Sequence, residues 1–234
     1  MMRAGIRPQW ARWTVALLCG VLVFGLWPDL DLQLATMLLD PSRRGLEDDP
    51  LLARWLYLAA PRLGEWTLAL CLGLFVLRWW QPRRVPRWLA RRALAWVLVV
   101  LLGVGLVVHE AFKDRVGRPR PVHVLGPTAT VPYVPPFQLS PHCQRNCSFV
   151  SGHAAISFSV MAWGTLAAPA RRRRWWWAGV ACGLLVGGVR MLQGGHFLSD
   201  VLFACLSVWW AQLVVQHVWA WWLLRRWRRR AALR

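Results

Sequence analysis

Six stretches of this chain are apolar for long enough, or nearly so, to cross a bilayer, which takes about 20 residues of helix. They run near Trp13–Trp27, Leu63–Trp80, Ala93–Phe112, Ser151–Ala168, Trp177–Gln193 and Phe197–Leu224. The last is long enough to run past the bilayer or to tilt. The connections between them alternate in charge. The N-terminal segment (Arg3, Arg7, Arg12), the second connection (Arg78, Arg83, Arg84, Arg87, Arg91, Arg92), the fourth (Arg171, Arg172, Arg173, Arg174) and the tail (Arg225, Arg226, Arg228, Arg229, Arg230, Arg234) contain no acidic residue. All 10 acidic residues fall in the other connections or in the helix ends beside them. Basic connections stay cytoplasmic during insertion. The alternation therefore predicts an all-α bundle of six transmembrane helices with both termini cytoplasmic, formed by one domain over residues 1–234.

A formal net charge of +19 would suggest nucleic acid as the partner of a soluble protein. Here the arginines are sorted to one side of apolar spans, and the partner they imply is the membrane, not nucleic acid. Tryptophans gather at span ends (Trp79, Trp80, Trp175, Trp176, Trp177, Trp221, Trp222), as interfacial anchors do. Arginine outnumbers lysine 28 to 1, and isoleucine occurs only at Ile6 and Ile156. That bias fits a GC-rich bacterial genome, and the spans with their sorted charges place the chain in the inner membrane of such a cell. The first span follows a basic N-terminus as a signal peptide does, but no small-residue cleavage site follows Trp27, so it is read as a retained helix.

Between the first two spans, Pro28–Pro61 carries leucines at alternating and helical spacing, which predicts a short interfacial helix. The third connection, Lys113–Val150, contains Pro119, Pro121, Pro127, Pro132, Pro135, Pro136 and Pro141, a composition that opposes regular helix. A long outer loop of this kind is where function is sought. Cys143 and Cys147 lie in it, on the side where disulfides persist, and are read as a local bridge. Cys19, Cys71, Cys182 and Cys205 fall inside spans, as small apolar fillers.

Three polar clusters stand at span ends. Lys113 is followed by Arg120-Pro121; Ser151-Gly152-His153 opens the fourth span; Arg190 is followed by His196 and Asp200. The alternating topology brings all three to one membrane face, the outer one. Three cations at the end of an apolar bundle call for a polyanion such as phosphate. Ser151 and Gly152 begin a helix, whose free amides favour an anion. His196 and Asp200, four apart on a helix, share one face, so the carboxylate can bond the imidazole, fix its tautomer and leave the other nitrogen to attack. His153 is then the group to protonate the leaving oxygen.

These motifs resemble the type 2 phosphatidic acid phosphatase family. The family pattern is a lysine, six residues, Arg-Pro; then Pro-Ser-Gly-His; then Ser-Arg, five residues, His, three residues, Asp. This chain reads KDRVGRPRP, VSGH and VRMLQGGHFLSD. The resemblance implies a phosphatase that needs no metal or cofactor and acts on a phospholipid or lipid-linked phosphate. It implies His196 as nucleophile, Asp200 as its orienting group and His153 as general acid. Lys113, Arg120, Ser151, Gly152 and Arg190 would hold the phosphoryl oxygens. Val150 and Val189 replace the family's proline and serine. The stretch CQRNCSFVSGH resembles sequence around the second motif of lipid A phosphatases, and undecaprenyl pyrophosphate, phosphatidylglycerol phosphate and phosphatidic acid stand beside lipid A as substrates. Two rival readings are a lipid phosphotransferase and a non-catalytic lipid-binding protein. Arg115 and Arg118 are read as contacts to headgroups or to the loop, with a second substrate phosphate as the sharper alternative. His109-Glu110 begins like a zinc-binding HExxH motif, but the fifth position is Lys113, so that motif fails.

Overall fold

A computed structural model of the chain describes residues 7–40, 46–113, 115–127 and 129–231. Arg3 and Arg234, part of the charge alternation, lie outside them. Among the described residues the protein is helical, without a strand. Helix α1 (Arg7–Leu26) is followed by the short α2 (Leu30–Leu38), then α3 (Leu51–Trp80) and α4 (Arg87–Val99), which continues as a π-helix over Val100–Lys113. A five-residue helix, α5 (Pro121–Leu125), interrupts an otherwise irregular segment. After it come α6 (Gly152–Phe158) with a 3-10 extension (Ser159–Gly164), α7 (Pro169–Leu192) and α8 (Leu198–Ala231).

Among the described residues, five helices are long and apolar enough to cross a membrane: Pro8–Leu26, Leu51–Trp80, Arg87–Lys113, Pro169–Leu192 and Leu198–Ala231. The fourth predicted span is not among them. From Gly152 to Gly164 it covers about 22 Å at the rises of the two helix types, against about 30 Å of hydrocarbon. Its hydroxyls explain the tight winding. Ser159 Oγ donates to Ile156 O and Thr165 Oγ1 to Ala162 O, each at 2.6 Å, drawing these carbonyls toward side chains three residues on. The second span also begins earlier than expected, at Leu51 rather than Leu63, and runs through Pro61 at the loss of one backbone hydrogen bond.

Helix α8 is the centre of the bundle. About two-thirds (67%) of its apolar window is buried, against 6% for α1 and for α3. Val201, Ala204, Val208 and Ala211 pack against Val99, Val108, Ala154, Phe158 and Met161. Helix α7 comes close to α6 because Gly183 has no side chain; a Cβ there would lie 2.1 Å from the Phe158 ring. The outer helices expose Leu18, Leu22, Trp66 and Leu70, as lipid-facing surfaces do. Helix α2 turns Asp31 and Ala35 inward, against the ends of α7 and α8.

Candidate active site

His196 lies in the turn between α7 and α8, 2% exposed. Its Nδ1 is 2.8 Å from the carbonyl oxygen of Ser148. A carbonyl only accepts, so Nδ1 carries the proton and Nε2 carries the lone pair. Burial pushes the imidazole pKa down to about 4, with the Asp200 carboxylate pulling the other way. Asp200 Oδ2 stands 3.5 Å from Nδ1, beyond ordinary hydrogen-bond length. That oxygen accepts instead from the Phe197 amide at 2.8 Å and from the Ser148 hydroxyl. The carboxylate therefore holds the chain on both sides of the ring, and a loop carbonyl holds the ring itself. Residue spacing predicts a direct Asp200–imidazole bond; the loop supplies a nearer acceptor.

Of the two contacts expected of Arg118, headgroups or loop, the structure shows the loop, together with two carboxylates that the sequence did not point to. The side chain does not face headgroups: it is fully buried, with its guanidinium stacked 4.1 Å from the Phe197 ring centre. Nη1 donates to Asp200 Oδ1 and to Ser199 Oγ, both at 2.8 Å, Nη2 to Asp31 Oδ2 at 2.9 Å, and Nε to Val134 O at 2.9 Å. Asp31 also accepts from the Ser199 amide at 2.9 Å and from its hydroxyl. Burial raises the Asp31 pKa, and Arg118 opposes that. Arg118 loses charge stability by burial, but Asp200 and Asp31 outweigh this and hold it cationic. Arg115, by contrast, is exposed.

The remaining cations surround His153. Its ring stacks on Tyr57 of α3 at 4.8 Å and 15°, and the Arg190 guanidinium lies 4.6 Å from the same Tyr57 ring centre. Tyr57 carries no motif, and no signal in the sequence marks it. Arg190 bonds the Gln193 amide oxygen, and Gln193 Nε2 donates to Asp49 Oδ2 at 2.7 Å. A Cβ at Gly195 would lie 2.1 Å from Arg190 Nη2, so any side chain there would push the guanidinium out of this position. Arg120 donates to Asn146 O at 2.8 Å, within the short loop where Cys143 and Cys147 stand at disulfide distance, Cα atoms 5.7 Å apart. The Val122 amide donates to Gly194 O at 3.0 Å, docking the Arg-Pro segment on the turn that carries His196. Ser151 is buried; its amide donates to Asp200 O at 3.2 Å and its hydroxyl accepts from Ala154 N at 3.4 Å.

Lys113 Nζ lies 3.3 Å from where a Cβ on Gly152 would be. The ammonium thus fits against a glycine at the start of α6, close to the backbone that a bulkier group would crowd. We expect Lys113→Arg to lower kcat at least tenfold although charge is kept, since a planar fork cannot replace a compact point charge there. Arg115→Lys serves as the control; near wild-type turnover for Lys113→Arg would remove lysine's specific role. A cavity of about 280 Å³ between α3, α4 and α6 reaches this corner, lined by Leu68, Val100, Val104 and Ile156 and by His109, Lys113, Gly152 and His153.

Residues 93–223 match the sequence profile of the PAP2 superfamily. The chain belongs to that superfamily. A lipid A 4'-phosphatase of Francisella tularensis subsp. novicida is 42% identical over 127 residues, covering 53% of this chain and 57% of that protein. Lipid A 4'-phosphatases of Rhizobium etli and Rhizobium leguminosarum are 31% and 32% identical over 118 and 112 residues, covering 50% and 46% of this chain and 46% of each relative. The chain spans about half the length of the curated relatives it matches. No solved structure matches it. Every motif residue of this PAP2 protein falls inside the matched segment, whereas Asp31 and Tyr57 lie before it. Among the described residues, no three of His, Cys, Asp and Glu gather as ligands of a metal would.

Proposed function

We propose that this PAP2 protein is a metal-independent phosphatase that removes a phosphate from lipid A or a closely similar lipid, through a phosphohistidine on His196. The observation that carries the reading is the tautomer of His196: a buried, neutral imidazole whose Nδ1 proton is committed to Ser148 O at 2.8 Å presents Nε2 as the nucleophile. Nε2 attacks phosphorus, the bond to the lipid oxygen breaks, and His153 gives that oxygen a proton. His153 then takes a proton from water, which displaces His196 and releases phosphate. Lys113, Arg120, Ser151, Gly152 and Arg190 hold the phosphoryl oxygens. The mostly apolar groove ending at Lys113 and His153 suits a substrate whose chains stay in the membrane. The relatives' names support lipid A among the lipids considered. Purified protein should release phosphate from lipid A at least tenfold faster than from undecaprenyl pyrophosphate, phosphatidylglycerol phosphate or phosphatidic acid. It should do so undiminished in EDTA. Restoration of an EDTA-sensitive rate by a divalent ion would favour metal chemistry, and phosphate moving to a second lipid would favour a transferase.

We further propose six passages, with both termini cytoplasmic and the site periplasmic. The short α6 and its extension would be the buried sixth. Arg190 at one end of α7 belongs to the histidine site, and Arg171–Arg174 lie at the other, so the chain must cross between Ser151 and Pro169. In an oxidising periplasm Cys143 and Cys147 would be bridged. A cysteine introduced into 171–174 should label with impermeant thiol reagent only after the inner membrane is opened. Labelling in intact spheroplasts would invert this topology.

A further inference from the structure

At the end of α7 away from the histidines, about 27 Å from Arg190 by helical rise, a cavity of about 490 Å³ opens between α1, α7 and α8. Among the described residues, three arginines from two helices line it, Arg12, Arg172 and Arg173, and no carboxylate does. Trp176 and Trp209 form a wall, ring centres 5.5 Å apart. Gln212 also lines it and is only 2% exposed. Its Nε2 donates to Met161 O at 3.3 Å, which fixes the amide's orientation, and among the described residues its Oε1 has no partner. A buried amide oxygen left without a donor is costly.

We propose that this cavity is a binding site for an anionic phospholipid whose headgroup carries a hydroxyl. The arginines meet the phosphodiester. The headgroup hydroxyl donates to Gln212 Oε1. Tryptophans at this level mark the interface, where a headgroup enters with its chains still in lipid. An ethanolamine headgroup would bring an ammonium among three guanidiniums, and choline has no hydroxyl to give. Phosphatidylglycerol is the simplest lipid with both features. The site is independent of the phosphatase reading, and a phosphodiester is no substrate for a phosphomonoesterase.

Native mass spectrometry of the purified full chain in detergent tests this with three lipids: phosphatidylglycerol, phosphatidylmethanol (the same charge without a hydroxyl) and phosphatidylcholine. The wild type should hold phosphatidylglycerol at least fivefold better than phosphatidylcholine. Arg172→Gln with Arg173→Gln should lower phosphatidylglycerol occupancy at least fivefold. Gln212→Leu, which keeps every arginine, should lower phosphatidylglycerol but leave phosphatidylmethanol unchanged. Lipid A phosphatase activity should stay within twofold in both variants. Equal phosphatidylglycerol occupancy in the wild type and the arginine variant overturns the site. Equal losses of both anionic lipids in Gln212→Leu, or no loss, overturn the hydroxyl contact. Displacement of the lipid by millimolar glycerol 3-phosphate would show that the headgroup alone is the ligand and overturn the choice of a lipid.

Discussion

His196→Ala should abolish phosphate release, lowering kcat by roughly 10⁴-fold, about 5.4 kcal/mol of barrier. The protein should still fold, because the side chain's one resolved hydrogen bond is to a loop carbonyl. Acid-labile, nitrogen-bound phosphate should be trapped on the wild type during turnover and be missing from the variant. Turnover of His196→Ala near the wild-type rate would end the phosphohistidine mechanism. The pH dependence follows from the same burial. The pKa of His196 is lowered to about 4 from an ordinary 6.5, so the nucleophile remains neutral down to that range. The acid limb that His196 contributes to kcat/KM should therefore lie near 4. Between those two values the unfolded chain binds more protons at this residue than the folded one. The residue's contribution to stability is thus present above 6.5 and is lost as pH falls toward 4. A Tm that rises as pH falls through this window in the wild type relative to His196→Ala would have the wrong sign.

The second large effect is expected at Arg118. Its guanidinium is the only cation hydrogen-bonded to either Asp31 or Asp200 among the resolved ion pairs. Arg118→Met leaves two buried carboxylates without a counter-charge, a class of change that costs about 3–5 kcal/mol of stability. Because Asp200 holds both the Phe197 amide and the Ser148 hydroxyl, loosening it also frees the two segments that frame His196. We expect kcat to fall at least a hundredfold with KM little changed, since Arg118 is a positioning residue and touches no substrate. Arg118→Lys should recover part of the stability but little of the rate, because an ammonium cannot span Asp31, Asp200, Ser199 and Val134 at once. Adding Asp31→Asn to Arg118→Met should recover stability but not kcat, which separates charge balance from positioning. A single Arg118→Met variant with wild-type Tm and kcat would make the network incidental.

The positioning network has a topological consequence. Asp31 precedes the segment that matches the superfamily, yet it completes the buried charge cluster behind Asp200. Helix α2, nine residues with an unremarkable apolar pattern, is therefore part of the site's support. Tyr57 plays the corresponding part on the other side, holding the His153 ring on one face while Arg190 lies against the same phenol.

Much was determined by local patterning alone. Apolar runs bounded by arginine dictate helices, because each residue's transfer between water and lipid depends on its own chemistry. Motif spacing likewise marked Lys113, Arg120, His153, Arg190, His196 and Asp200, and the fold brings the segments bearing them together around His196 and His153. Only tertiary structure decided what holds them. Arg118 meets Asp31 across 87 positions and Asp200 across 82, Ser199 meets Asp31 across 168, and His196 meets Ser148 across 48. Pairs so distant leave no periodic trace, and an arginine in a loop carries the same local pattern whether it faces solvent or a buried carboxylate. The short fourth segment shows the same division. Its composition is apolar enough for a span, but its serine and threonine hydroxyls bond back to the backbone, and the surrounding helices bury a segment that lipid alone would not cover.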